Sequence, residues 1–494
     1  MSDIKQPMSL YPLSLTEMWE RYGFYTIQAL LLLFLLDHLR IDSTDAYIIT
    51  GTFTAISYIS PLIGGYIADR LIAQRMAVML GIFFLGISYA IFSISINSLD
   101  AVYIALTGAA IGTGLLKPNL ACLIGGLYKP GDKHRDSGFS IYYALMAFGI
   151  TLGSFIPQWV QEHTDNWSDP FILASASMLF AFVLLMVSVF FFKVQDIRKT
   201  RFQFKNIIKA LLICGITWVA FYLFFTIYTL ALIAFGGLVF FSIGSLIYFA
   251  IKEVGIQRKR IFVILFLCVI SAIYWMLYFQ VFLSLVVFIS YCVSKTFLGF
   301  NFYESYYIAV ESIGLVVLGP LLGILFKRFY HKMPSVDSSI KFFLAMLTIT
   351  FCFFFLYLVV SFSNQTALIK PALILFVYVS VAVSEILLSP VGLSMVTKLS
   401  PPRIVSYMMG IFYVSLGIGG YLGGWLAKIV VIPERIQDSF QGKISSSQIV
   451  VLKQTFSNAF LCYALIGFVT VLFSFILVQC LRRWMVLPEK SLVN

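Results

Sequence analysis

Six charged residues stand inside apolar runs long enough to cross a bilayer: Glu17, Glu20, Arg21, Lys117, Glu311 and Glu385. A charge at the bilayer centre costs roughly 2.5–3.5 kcal/mol on insertion scales, so each marks a place where chemistry is expected. Glu17 and Arg21 are one helical turn apart and share a face, whereas Glu20 points about a quarter-turn away. Two acids against one base leave a surplus negative charge in a poor solvent for charge. Binding a proton removes the surplus and releasing it restores it, so the cluster suits a proton cycle. The plainer reading of the same residues is an ion network that locks helices together. For Lys117, followed by Pro118 and Asn119, the plainer reading is support of a helix end. His38, His134, His163 and His331 fall in loops or at span ends, so a relay on carboxylates is expected rather than on imidazole. No Ser-His-Asp set or metal-ligand spacing falls within one plausible pocket. No enzyme, no metal and no cofactor is therefore expected, with the proton as coupling ion.

The elements that position these charges follow from composition. The 494 residues are 60% hydrophobic and 11% charged, against about 25% charged in soluble domains. Such a chain cannot cover a soluble surface, and the bilayer must be its solvent. Apolar runs such as 171–192 are far longer than the ~10-residue alternation of a membrane barrel, so helices are expected. Fourteen spans emerge, near 13–36, 46–69, 76–96, 101–127, 138–160, 170–192, 207–228, 231–251, 261–284, 303–326, 341–362, 371–397, 404–430 and 456–481. With the N-terminus inside, 25 of the 34 Lys and Arg fall on the inner face and 7 on the outer. Segment 161–169 carries three acids and no Lys or Arg, and 193–209 carries six basic residues. Lys and Arg concentrate in cytoplasmic loops. Both termini are expected in the cytoplasm, in a multi-pass protein of the cytoplasmic (inner) membrane. The net charge of +12 then needs no nucleic acid. The seven cysteines form no CxxC pair and read as small buried hydrophobes.

Spans 207–228 and 231–251 carry no interior charge and read as spacer helices. Without them six spans precede and six follow, a count that resembles the two six-helix halves of major facilitator carriers, where substrate binds between halves near the midplane. The expected fold is an all-α membrane protein with two six-helix bundles, 1–193 and 261–494, and a two-helix insertion at 194–260.

Span 1 reads Glu17-Met-Trp-Glu20-Arg21-Tyr22-Gly-Phe24-Tyr25 and resembles the ExxERFxYY signature of proton-dependent oligopeptide transporters. Span 12 reads Ser384-Glu385-Ile-Leu-Leu-Ser389-Pro390 and is similar to that family's other hallmark, and Lys117-Pro118-Asn119 is similar to its lysine segment. Gly64-Gly65-Tyr-Ile-Ala-Asp69-Arg70 resembles the general facilitator loop motif. The resemblance implies that Glu17, Glu20 and Arg21 couple proton movement to binding. It implies that Arg21 and Lys117 receive a peptide carboxylate and Glu385 its ammonium, with Tyr25, Tyr58 and Ser389 lining the pocket.

The sequence departs from the family pattern at several positions. Ala147 stands where Asn is usual. Gln28 and Phe279 stand where the family pairs an Arg with an acid at the outer gate. Loss of both charges leaves neither alone in the membrane, so neutral packing is expected there. Glu311 replaces a usual Asn about nine residues, roughly 14 Å, into its span, as a second proton site or a specificity residue in the substrate pocket. Phe412 and Gly420 replace an expected Trp and Asn. The expected function is a proton-coupled symporter importing di- and tripeptides by alternating access. A narrower amino-acid-derived or other organic-anion cargo is the alternative. A membrane transferase would want acidic or metal-binding clusters at a membrane face. A channel or scaffold would not need acids and bases in both halves. The expected partners are small peptide, protons and lipid, for a functional monomer.

Overall fold

Backbone N–H and C=O groups in lipid must be satisfied within their own segment, which makes the helix the default element. A computed structural model of the chain describes residues 6–94, 97–129, 132, 134–196, 203–332, 338–433 and 445–485. The first six helices are α1 (Leu10–Leu33), α2 (Ser43–Arg70), α3 (Gln74–Ile94), α4 (Leu99–Gly125), α5 (Arg135–Thr164) and α6 (Ser168–Phe190). α7 (Phe204–Thr226) and α8 (Tyr228–Lys252) follow. The second set is α9 (Gly255–Tyr278), the short α10 (Ser284–Cys292), α11 (Tyr306–Lys332), α12 (Ser338–Phe362), α13 (Pro371–Leu399), α14 (Val405–Ala427) and α15 (Ser446–Met485). Among the described residues, thirteen helical segments are long and apolar enough to cross a membrane, with α9 and α10 counted as one. α1 is the fourteenth long helix, its 24 residues carrying Glu17, Glu20 and Arg21.

Each expected span falls on a helix, but 285–302 is not a plain loop. α10 continues α9 through a 3-10 turn at Phe279–Phe282, and a hairpin of β1 (Thr296–Phe297) and β2 (Phe300–Asn301) follows. Leu298 and Gly299 both have positive φ, as a tight two-residue turn requires. α11 begins at Tyr306, so Glu311 stands five residues into it, roughly 8 Å rather than 14. Glu304 and Ser305, expected inside the span, instead make hydrogen bonds ahead of the helix. His331 lies in α11, with its side chain outside the described residues.

α1 packs on α5 and α6, α3 on α4 and α6, and α2 on α4. In the second set α12 packs on α13 and α15, α9 on α14, and α11 on α13. The two sets meet through α2 against α14 and α5 against α11. These are the second and fifth helices of one set against the fifth and second of the other, the exchange expected of repeats related by a pseudo-two-fold axis. α7 touches α2 and α4, α8 touches α9 and α14, and both expose apolar side chains, such as Ile216 of α7 and Phe240 of α8. Lipid is the solvent for such a surface.

Candidate functional site

The charged residues of α1 are held by the helix behind them. Gly149 and Gly153 of α5 lie against the backbone of Met18 and Tyr22, where an added Cβ would overlap the carbonyl oxygens. Small residues let membrane helices approach this closely. The approach fixes how Glu17 and Arg21 face the interior, and Glu17, Glu20 and Arg21 are all buried. Arg21 Nε donates to Glu20 Oε2 at 2.5 Å, and Arg21 Nη2 donates to Thr113 Oγ1 of α4 at 3.0 Å. The Thr113 hydroxyl donates in turn to Glu20 Oε1 at 2.7 Å. Glu20, Arg21 and Thr113 thus form a closed ring. Glu17 lies 3.4 Å from Arg21 Nε and interacts with the Tyr142 hydroxyl of α5, but neither of its oxygens makes a close hydrogen bond among the described residues. The cluster therefore divides into a tied carboxylate, Glu20, and an untied one, Glu17.

Lys117 lies mid-helix in α4, with Pro118 beside it, rather than at a helix end. Asn119 donates to the carbonyls of Gly64 and Leu115 at 3.3 and 2.7 Å, holding α4 to α2. Lys117 makes no hydrogen bond or ion pair within 4 Å among the described residues, and its ammonium stands 5.3 Å from the Tyr58 ring centroid. It is in electrostatic reach of Arg21, Glu17 and Glu20 on its own side and of Glu385 opposite.

Across the interface, Tyr278 of α9 donates to Glu385 Oε2 at 3.0 Å, and the Tyr274 and Ser384 hydroxyls share a hydrogen bond at 2.8 Å. Tyr25 interacts with Arg21 on one side and with Glu385 and Glu311 on the other. Tyr25, Tyr58, Lys117, Glu385 and Ser389 are each half-buried, between core and open space. Ser389 lies one turn along α13 from Glu385, on the same face. Glu311 is buried and interacts with Glu385 and Tyr278. The structure thus brings together Glu17, Glu20, Arg21, Tyr25, Tyr58, Lys117, Glu311 and Glu385, with both cations in the first set of helices and two acids in the second. The arrangement can hold a molecule with a negative and a positive end and can exchange protons with Glu17. Among the described residues no group of three or more His, Cys, Asp or Glu is placed to hold a metal ion.

The two sets are joined on the face away from the N-terminus. Gly51 of α2 meets Gly424 of α14 backbone to backbone, where an added Cβ would stand 2.7 Å from the Gly424 Cα. Gln28 donates to Thr54 at 3.1 Å, and the Phe279 ring lies 5.5 Å from that of Tyr58. Those positions are neutral, but charge closes the same face elsewhere. Gln158 of α5 donates to Glu304 Oε2 at 2.6 Å and accepts from the Ser305 backbone N–H at 2.7 Å. Lys295 pairs with Glu304 at 3.3 Å. Phe155 stacks on Tyr306 beside this latch. At the Ala147 position, Ser312 donates to the Ala147 carbonyl at 3.0 Å, so a backbone contact fills the place of the usual amide. Phe412 packs on Gly392 and Gly420 on Thr54, both inside helix contacts.

Sequence reasoning missed Thr113, Tyr278 and the latch. Thr113 stood four residues before Lys117, on one face of α4, and that spacing was its signal. Gln158 and Glu304 gave none, because polar residues near span ends are ordinary.

The profile of the POT family matches residues 72–443. Dipeptide and tripeptide permease A of Proteus mirabilis (strain HI4320) is 26% identical over 443 residues, covering 88% of this chain and 89% of the permease. The permease of that name from Escherichia coli (strain K12) is 26% identical over 442 residues, covering 88% and 86%. The fold superposes on tetrameric PepTSo2 with a TM-score of 0.83 at 23% identity, covering 96% of this chain and 98% of the other. A structure from work on substrate recognition in proton dependent oligopeptide transporters gives 0.82 at 23%, covering 97% and 100%. The profile spans most of the chain and the helices superpose nearly end to end, so this chain, an integral membrane protein, belongs to the POT family.

Proposed function

We propose that this chain imports small peptides together with protons across the cytoplasmic membrane, with both termini in the cytoplasm and the latch face outside. The observation that supports it is the division of charge about the half-buried tyrosines: Arg21 and Lys117 on one side, Glu385 on the other. A zwitterionic peptide fits that division, its carboxylate toward Arg21 and Lys117 and its ammonium toward Glu385. Charge-assisted contacts would fix the peptide backbone, with Tyr25, Tyr58 and Ser389 beside it. Within the cluster of α1, Glu20 stays bound to Arg21 and Thr113, and Glu17 carries the proton. Loading Glu17 from outside and closing around the peptide precede release inside, by rocking of the two helix sets. Coupling requires proton and peptide to favour different conformations. Every group in this scheme comes from one chain, which supports a functional monomer.

The test is uptake of labelled dialanine into proteoliposomes with and without an inward proton gradient. Gradient-driven uptake that disappears in Glu385→Ala supports the scheme. Uptake indifferent to the gradient removes proton coupling, and no uptake by folded protein removes the dipeptide cargo.

A further inference from the structure

The central charges do not balance around a zwitterion. Four buried or half-buried carboxylates, Glu17, Glu20, Glu311 and Glu385, face two cations, Arg21 and Lys117. A zwitterion adds nothing to that sum, and a proton on Glu17 removes one charge of the two in excess. Among the described residues Glu311 Oε1 is buried without a hydrogen-bond partner. The groups that interact with Glu311 are a second carboxylate, Glu385, and tyrosine hydroxyls such as those of Tyr278 and Tyr25, whereas Glu385 is also in reach of Lys117. An uncompensated carboxylate in a low dielectric is costly, so a cationic group arriving beside Glu311 would be favoured.

The helices set the spacing of the two acids. α11 and α13 are separated in sequence by one spanning helix and so run in the same direction. They touch at Gly314, where an added Cβ would stand 3.0 Å from the Cβ of Ala382. Glu311 lies three residues before that contact and Glu385 three residues after it, which offsets their backbone positions by roughly 9 Å along the helix axes, while their side chains converge on the Tyr278 hydroxyl. A single ammonium between them leaves one of the two negative charges uncompensated. The α-ammonium and the side-chain ammonium of one lysine, five carbons apart, compensate both.

We propose that Glu311 and Glu385 together form a subsite for two ammonium groups, so that the preferred cargo is a small peptide whose first residue carries a basic side chain. Glu385 takes the α-ammonium and Glu311 the side-chain ammonium. The inference rests on the peptide reading above and narrows its substrate.

The test compares Lys-Ala with norleucyl-alanine, which keeps the side-chain length and lacks the second ammonium. Dialanine serves as the reference, by competition and direct uptake in proteoliposomes. Wild-type protein is expected to prefer Lys-Ala over norleucyl-alanine by about tenfold, the factor given by about 1.4 kcal/mol of charge-assisted contact. Glu311→Gln is expected to bring that ratio to about one, and Glu311→Asp to keep part of it. Equal affinity for the two peptides in wild-type protein overturns the proposal without reference to any variant. A Glu311→Gln protein that weakens both peptides equally also overturns it, and makes Glu311 a proton site instead. If dialanine is taken up and the Lys-Ala preference is missing, the subsite fails alone. If no peptide is taken up, the peptide reading fails and the subsite with it.

Discussion

The latch between Gln158 and Glu304 gives a prediction whose size can be worked from its bonds. The substitution is Gln158→Leu, which keeps most of the side-chain volume and removes both hydrogen bonds. Gln158 and Glu304 are each 2% exposed, so water does not replace what is lost. A hydrogen bond to a charged acceptor contributes about 1.5–3 kcal/mol and a neutral one about 1 kcal/mol, for a total of roughly 3 kcal/mol. The partners come from α5 and from the segment just before α11, on opposite sides of the interface, so the bonds exist only while the face away from the N-terminus is closed. Their loss moves the closed–open equilibrium by roughly a hundredfold, at tenfold per 1.4 kcal/mol. An open population of about 1% would rise to about half. Lys295 contributes less, because its side chain is half exposed and surface ion pairs contribute about 0–1 kcal/mol. Lys295→Ala is therefore expected to shift the equilibrium far less than Gln158→Leu.

The assay is a distance distribution between spin labels at Thr164→Cys on α5 and Leu298→Cys on the hairpin, in a cysteine-free background. A second, longer population in Gln158→Leu, nearly absent with Lys295→Ala, is the expected result. Unchanged distances in folded Gln158→Leu protein would refute the latch. The Glu304 carboxylate beside Lys295 holds its ammonium above the ordinary lysine range. A raised lysine stabilises fully below its unfolded value near ~10.4 and loses that effect only as pH rises through the folded value. The Lys295 contribution should therefore stay constant from about pH 5 to pH 8, and a distance shift within that window must have another source.

Two further outcomes follow from the packing. Gln28→Arg places a buried charge beside Thr54; gradient-driven uptake is expected to fall by more than about tenfold, and adding Phe279→Glu should restore part of it. Uptake by the single variant at the wild-type rate counts against neutral closure at that position. Gly153→Leu forces α5 away from Tyr22, and overpacking of this kind costs about 1–3 kcal/mol. The variant should melt at lower temperature and lose gradient-driven uptake, and full retention of both would separate the charged cluster of α1 from the α1–α5 contact.

What the sequence disclosed about this site depended on contrast. Glu17, Glu20, Arg21, Lys117, Glu311 and Glu385 stand in apolar runs, where a charge is expensive enough to mark itself. Gln158, Glu304 and Lys295 lie where spans meet loops, and polar residues there carry no such mark. α10 escaped for a related reason: its nine residues are too few to cross a bilayer of ~20-residue spans, so they fell in the loop expected between 284 and 303. Thr113 escaped because a hydroxyl in a membrane helix can bond its own backbone, as Thr26 and Thr50 do. Nothing in the order of residues says that Thr113 turns to Glu20 instead.

The face away from the N-terminus shows the same limit from the other side. The paired absence of charge at Gln28 and Phe279 was legible, and the structure keeps those positions neutral. That charge closes the same face through α5 and α11 was not legible, because the compensation sits on different helices from the loss. A carrier must hold its two helix sets together by contacts strong enough to seal and weak enough to release. A buried Arg–acid pair would meet a large desolvation cost each time it formed. An amide that donates to one carboxylate and accepts from one backbone N–H needs only about 3 kcal/mol to open. Within that limit the sealed state is well populated, and the free energy of a bound substrate is large enough to reverse it.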